Sequence, residues 1–325
     1  MATTPPPPLP VEKPVMVVGI DDSERSIYAL EWILDHFFTP NAPNFLFNLF
    51  IVHAKPSPTS AIGFAGPGAA EVLPYVEADL KKIAARVIEK AKEICLSKSV
   101  TGVVLEVMEG DARNVLCEAV EKHHASILVV GNHGYGAIKR AFLGSRKKFL
   151  RPPSKMATTA TPVTPLAVEK PVMVVGIDDS EQSIYALEWI LDHFFTPNAP
   201  NFLFNLFIVH AKPSPTSAIG LAGPGAADVL PYVEADLKKI AARVIEKAKE
   251  ICFSKSVTGV VLEVMEGDAR NVLCEAVEKH HASILVVGSH GYGAIKRAVL
   301  GSVSDYCAHH AHCSVMIVKK PRIKH

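Results

Sequence analysis

The sequence predicts two doubly wound α/β domains in tandem, and three observations carry that expectation. Val11 to Ser145 recurs as Val168 to Ser302 at a constant offset of 157. Only six positions differ: Arg25/Gln182, Phe64/Leu221, Glu71/Asp228, Leu96/Phe253, Asn132/Ser289 and Phe142/Val299. A period this long marks a duplicated domain rather than a solenoid. Within each copy, short apolar runs alternate with amphipathic segments, the pattern of a parallel sheet covered by helices on both faces. The fourth apolar run of each copy then breaks into glycines before a second glycine followed by a hydroxyl.

Taken in order in the first copy, Val15 to Ile20 is β-branched enough to be a buried strand. Asp22 or Ser23 can cap the next helix, with Ile27, Leu30, Leu34 and Phe37 on one face. Thr39 to Asn44 is a Pro/Asn return loop, and Phe45 to His53 is the second strand. Lys55 to Gly68, rich in Pro, Gly and Ser, reads as a long loop. Leu73, Val76, Leu80, Ile83, Val87, Ala91 and Ile94 mark a long amphipathic helix. Val103 to Met108 is the third strand. Asp111 can cap a helix carrying Val115, Leu116, Ala119 and Val120 inward, and Ser126 to Val130 is the fourth strand. Tyr28, Tyr185, Trp32 and Trp189 read as helix-packing aromatics.

The copies end differently. After Ser302 the second continues through a helix, Val303 to Cys313, and a fifth strand, Ser314 to Val318. After Ser145 the first runs through Arg146 to Lys155, with Pro152 and Pro153, to an internal Met156 that repeats the opening Met-Ala-Thr-Thr. The expected organisation is a Pro-rich tail over residues 1–12, a truncated domain over 13–145, a linker over 146–170 and a complete domain over 171–320. The internal Met156 is also what joining two neighbouring genes in one reading frame would leave. The apolar edge Ile127 to Val130 then needs a partner, for which Val315 to Val318 is a candidate.

Of 325 residues, 49% are hydrophobic, so the chain forms cores. Lys+Arg 34 against Asp+Glu 33 gives a net charge of +1 and no broad electrostatic footprint for nucleic acid or membrane. No apolar run approaches the ~18–20 residues of a membrane span. The N-terminus lacks the basic and apolar regions of a secretory signal. Six cysteines without a disulfide-like framework suit a reducing compartment, the cytoplasm or nucleus.

The chemistry concentrates after the fourth strand. Gly288 and Gly291 let backbone amides approach an anion, and Gly301-Ser302 opens a helix whose free N–H groups favour phosphate. This spacing, Gly-x2-Gly-x9-Gly-Ser, resembles the nucleotide-binding signature of the universal stress protein (UspA-type) family. The resemblance covers the whole second copy and about nine tenths of the first. It implies a flavodoxin-like sheet of strand order 3-2-1-4-5, with the nucleotide at the switch point between strands one and four. It further implies that Asp178 meets the adenosine of ATP or AMP and that Ala211 offers its backbone to adenine. Gly288, His290 and Gly291 would line ribose and phosphates, and Gly301, Ser302 and Ser304 would hold the terminal phosphates. In the first copy the matching positions are Asp21, Ala54, Gly131, His133, Gly134, Gly144 and Ser145. Lys147 stands where Ser304 would be, so that copy is expected to bind nucleotide poorly. Mg or Mn would be bound through the phosphates. The family's dimerisation through its last strand implies a homo-oligomer, or intramolecular pairing of the two domains, through Ser314 to Val318.

Other signals carry less. Gly63 to Gly68 lacks the Gly-Lys-Ser/Thr ending of a phosphate loop. Lys296-Arg297 reads as a solvated pair. His309 and Cys313 fall at zinc-like spacing, but no second ligand pair is spaced to complete a site, so no metal ligands are assigned. With no paired general base and nucleophile in view, the expected function is a nucleotide-gated regulator of the response to stress, with little or no fast catalysis. A slow ATPase or phosphotransfer enzyme, and a nucleotide-free interaction module, are the alternatives.

Overall fold

A computed structural model describes residues 13–39, 45–62, 69–131, 170–198, 201–219, 226–289 and 301–321. The first unit comprises β1 (Val15–Ile20), α1 (Glu24–Ile33), β2 (Asn48–Lys55), α2 (Pro58–Ile62), α3 (Ala69–Ser97), β3 (Val104–Glu109), α4 (Ala112–Lys122) and β4 (Ile127–Val130). The second comprises β5 (Val172–Ile177), α5 (Glu181–Ile190), β6 (Asn205–Lys212), α6 (Pro215–Ile219), α7 (Ala226–Ser254), β7 (Val261–Glu266), α8 (Ala269–Lys279), β8 (Ile284–Gly288), α9 (Ser302–His310) and β9 (Ser314–Val318).

Local chemistry sets the helix starts. Ser23 caps α1 by accepting from the Ser26 N–H, and Asp111 caps α4 by accepting from the Asn114 N–H. Ser180 and Asp268 do the same for α5 and α8. Three expectations need correction. The Lys55–Gly68 loop contains the short helix α2, and Lys55 itself belongs to β2, which begins at Asn48 rather than Phe45. The helix after β1 does not run straight to Phe37, because Leu34–Phe38 widens into a π-helical turn, repeated at Leu191–Phe195. That wider turn lets Phe37 and Phe38 both face inward, at 2% and 1% exposure. Finally, Tyr28 is exposed and is not a packing aromatic, whereas Trp32 and Trp189 are buried.

The described strands belong to one nine-stranded sheet, ordered β3-β2-β1-β4-β9-β8-β5-β6-β7. In the second unit the five strands lie in the order third, second, first, fourth, fifth. Among the described residues the first unit supplies four, and β9 lies beside its fourth. β9 runs parallel to β8, pairing Val315 with Leu285, and antiparallel to β4, pairing Val315 with Val130 and Val318 with Ile127. The ladder extends past the strand ends, with Ser289 N–H donating to the Val318 carbonyl and Lys319 N–H to that of Ser126, each at 2.9 Å. Of the two outcomes expected for Ser314–Val318, the structure shows pairing within the chain.

The same junction is packed on both faces. Met316 and Val318 join a cluster with Ile127, Val129, Ile284 and Val286, and Val315 and Ile317 face the other way. Phe37 stacks on Phe194 at 4.3 Å between centroids, flanked by Trp32 against Phe204 and Phe47 against Trp189, both at 5.8 Å. Arg113 of α4 reaches Asp305 of α9 at 3.2 Å. Val315 to Val318 are at most 3% exposed. At about 1.5–3 kcal/mol for each fully buried apolar side chain, this strand is a large share of what holds the two units together.

Candidate functional site

Strands β5 and β8 are neighbours, and their C-terminal ends lie at the switch point of the second unit's sheet, where open α/β sheets place ligands. Asp178 follows β5 and Gly288 ends β8, so two of the expected residues come to one place. His290, Gly291, His133, Gly134, Gly144, Ser145, Lys147 and the Lys296-Arg297 pair lie outside the described residues.

The Asp178 carboxylate is engaged locally. Its Oδ1 accepts from Ser180 N–H at 3.0 Å, from Ser183 Oγ at 2.6 Å and from the Ser180 hydroxyl. Asp178 thus braces the turn into α5 while its side chain stays exposed at the rim. Asp21 does the same for α1, accepting from Ser23 N–H at 3.1 Å and Ser23 Oγ at 2.6 Å.

Gly288 has a packing reason to be glycine beyond any ligand. A Cβ there would stand 2.5 Å from the Gln182 carbonyl oxygen and 2.8 Å from the Ser183 nitrogen, in the first turn of α5. A Cβ on Gly131 would likewise stand 2.5 Å from the Arg25 carbonyl oxygen. Strand end and helix start are therefore in backbone contact, which side chains would prevent.

The helix starts differ in one respect. α1, α4, α5 and α8 are each capped by a Ser or Asp side chain, but α9 begins at Gly301, which makes no side-chain cap bond. Ser302 is exposed at the first position. Ser304 is buried at 2%, and its hydroxyl donates back to the Gly301 carbonyl at 3.0 Å. Ser304 thus steadies the helix start from inside, while Ser302 and the first-turn amides form its outer end.

Some residues at this end of the sheet escaped the sequence reading. His210, 5% exposed, precedes Ala211 on β6, and its Nδ1–H donates to the Ile177 carbonyl at 2.9 Å, pinning β6 to the end of β5. His53 does so to Ile20 in the first unit. Lys212, also buried, pairs with Glu266 at 2.6 Å. Lys320, just past β9, reaches Glu181 in the first turn of α5 at 2.7 Å and holds that carboxyl below the usual range. A His inside an apolar strand was the available signal, and the apolar run around it hid it. A cleft of about 440 Å³ between α7 and the outer strands is lined by Lys212, Lys238 and Val264 among others.

The histidines of α9 and the turn after it are otherwise occupied. His309 and His310 donate Nδ1–H to the carbonyls of Asp305 and Tyr306, and His312 pairs with Glu278 at 2.8 Å.

The universal stress protein family model matches the chain twice, over residues 14–147 and 171–319. Universal stress protein PHOS34 of Arabidopsis thaliana is 30% identical over 184 residues, covering 50% of this chain and 67% of its own length. Universal stress protein Mb2028c of Mycobacterium bovis is 26% identical over 316 residues, 94% of this chain and 97% of that one. Among solved structures, a universal stress protein from Archaeoglobus fulgidus is 15% identical, covers 95% of this chain and 97% of its own, and has a TM-score of 0.49. An Arabidopsis thaliana family member solved with AMP bound is 24% identical, covering 46% of this chain and 92% of that one, with a TM-score of 0.35. The repeat seen in the sequence is matched copy by copy by one family model, and the chain belongs to the universal stress protein family as a tandem of two such domains.

Proposed function

We propose that the second unit binds an adenine nucleotide, ATP or AMP, at the ends of β5 and β8, and that the protein acts as a nucleotide-responsive regulator with negligible turnover. The observation that carries this reading is the start of α9. It carries Gly301 at the cap position with no side-chain cap bond, whereas α1, α4, α5 and α8 are each capped by a Ser or Asp side chain. Its first-turn N–H groups and positive dipole end are thereby left for an external anion. In this reading Asp178 meets the adenosine, the backbone of Ala211 meets adenine, Gly288 lines the ribose and phosphates, and Gly301 and Ser302 hold the terminal phosphates. Ser304 acts by holding the helix start. Mg or Mn would ride on the phosphates rather than on protein side chains. No described helix is long and apolar enough to cross a membrane, and a cytoplasmic or nuclear setting suits the unlinked cysteines.

The test is calorimetry with ATP and AMP on the full chain and on Ser302→Glu. An exposed glutamate at a helix start suits the dipole and leaves the fold intact, but it sets a negative charge against phosphate. ATP affinity should fall about 10- to 100-fold, roughly 1.4–2.8 kcal/mol, with unchanged melting. Undiminished binding removes this site. Rapid phosphate release by the parent would favour an enzyme, and no binding of either nucleotide an interaction module.

A further inference from the structure

We propose that Lys320 is a phosphate-binding cation of the second unit, held on Glu181 and passed to the outer phosphates of ATP, so that it favours ATP over AMP. This rests on the nucleotide reading above and names the residue that tells its two ligands apart.

The topology brings Lys320 to the site. β9 runs parallel to β8, so both finish at one edge of the sheet, and there the Ser289 N–H donates to the Val318 carbonyl at 2.9 Å. Lys320 thus stands two residues beyond a bond to the first residue after Gly288. In the order β9-β8-β5, one strand lies between Lys320 and β5. The Lys320 ammonium spans that strand end and meets Glu181, in the first turn of α5, at 2.7 Å.

The two helices at this edge cover opposite faces. Ala186, Leu187 and Ile190 of α5 join the cluster of Met316 and Val318, whereas Cys307 and Ala308 of α9 join that of Val315 and Ile317. Because α9 ends just before β9 begins and packs along it, its start lies toward the edge where β9 finishes. A phosphate chain at that edge has the start of α9, which lacks a side-chain cap bond, on one side and the Lys320–Glu181 pair on the other.

The pair opens readily. The Glu181 side chain is 80% exposed and that of Lys320 39%, and ion pairs so open to water are weakly held. Once released, Glu181 keeps the favourable place of a carboxylate in the first turn of a helix. A phosphate chain offers the ammonium more negative charge and more acceptor oxygens than one carboxylate, so ATP can take Lys320 over. AMP carries only the phosphate next to its ribose and lacks the outer charge that draws Lys320 away. The first unit receives no such cation from β9. There the strand runs antiparallel to β4, with Val315 beside Val130, so Cys313 and Ser314 rather than the lysines lie at the end of β4.

The test is calorimetry of the full chain with ATP and with AMP, with melting of each variant alongside. Lys320→Gln should lower ATP affinity about tenfold and AMP affinity less than about twofold. Lys320→Arg, which keeps the charge, should retain the preference for ATP. Glu181→Gln frees Lys320 and should raise ATP affinity about two- to threefold. A pair that merely braced the end of the chain would give the two glutamine variants the same sign, with lower melting in both. Unchanged ATP binding in Lys320→Gln, equal losses for ATP and AMP, or weakened ATP binding in Glu181→Gln overturns the role of Lys320 and leaves the site standing. A parent that binds neither nucleotide removes the site and this role together.

Discussion

The two units share almost every residue, yet one ends in its own α9 and β9 and the other has its fourth strand completed from across the chain. Their interiors show how little the shared part notices. Gly131 and Gly288 lie equally close to the backbones of α1 and α5, and His53 and His210 pin the corresponding strand ends. What separates the units is what the segment after Gly301 brings: a helix start with no side-chain cap bond, and one strand that both units use. Near-identical sequences therefore give near-identical frames, and the difference lies in a short segment that follows only the second copy.

The sharpest way to break this symmetry is Ile317→Lys. Ile317 is 3% exposed in the strand between β4 and β8, so a lysine there buries a charge at the junction. The expected cost is about 4–5 kcal/mol. Denaturant unfolding should show both units destabilised together. If the second unit alone weakens, β4 does not depend on β9.

Next come Gly288→Val and Gly131→Val, read side by side. Each sets a side chain against a helix carbonyl, so each should lose about 3 kcal/mol of stability. Only Gly288→Val should weaken ATP binding beyond what its lost stability explains. Equal loss of ATP binding in both would show that the glycines matter to the frame alone.

The smallest effect tests where the units ought to agree. Glu106 and Glu263 are held below the usual carboxylate range by bonds from Lys122 and Lys279 first, then from His123 and His280. A depressed folded value stabilises above the unfolded value near 4.5 and is lost as pH falls through the folded one. Glu263→Gln should therefore cost a little at neutral pH, below about 1 kcal/mol, and nothing in strong acid. Glu106→Gln should behave alike, and unfolding midpoints across pH would expose any difference.

Much of this was legible in the sequence because it is local. The repeat, the Ser23 and Asp111 caps, and β9 from Ser314 to Val318 all follow from residue type and spacing. The π-helical turns were hidden, since a widened turn keeps the apolar content of an α-helix and changes only which residues share a face. The site was half legible. Asp178 and Gly288 stand at the ends of neighbouring strands, but sequence spacing could not show that Gly288 is packed against α5, or that Ser304 turns inward. Those are facts of packing between segments distant in the chain.

The shared strand also sets a timetable. Val130 and its partner Val315 are roughly 185 residues apart. At synthesis rates of about 5–20 residues per second, some 10–40 s separate their emergence from the ribosome. During that interval a nearly complete first unit waits with the edge of β4 bare. A bare apolar edge pairs with whatever strand arrives, including the same edge on a neighbouring nascent chain. The order of translation, rather than the strength of the finished sheet, thus governs how much of this protein reaches its own β9.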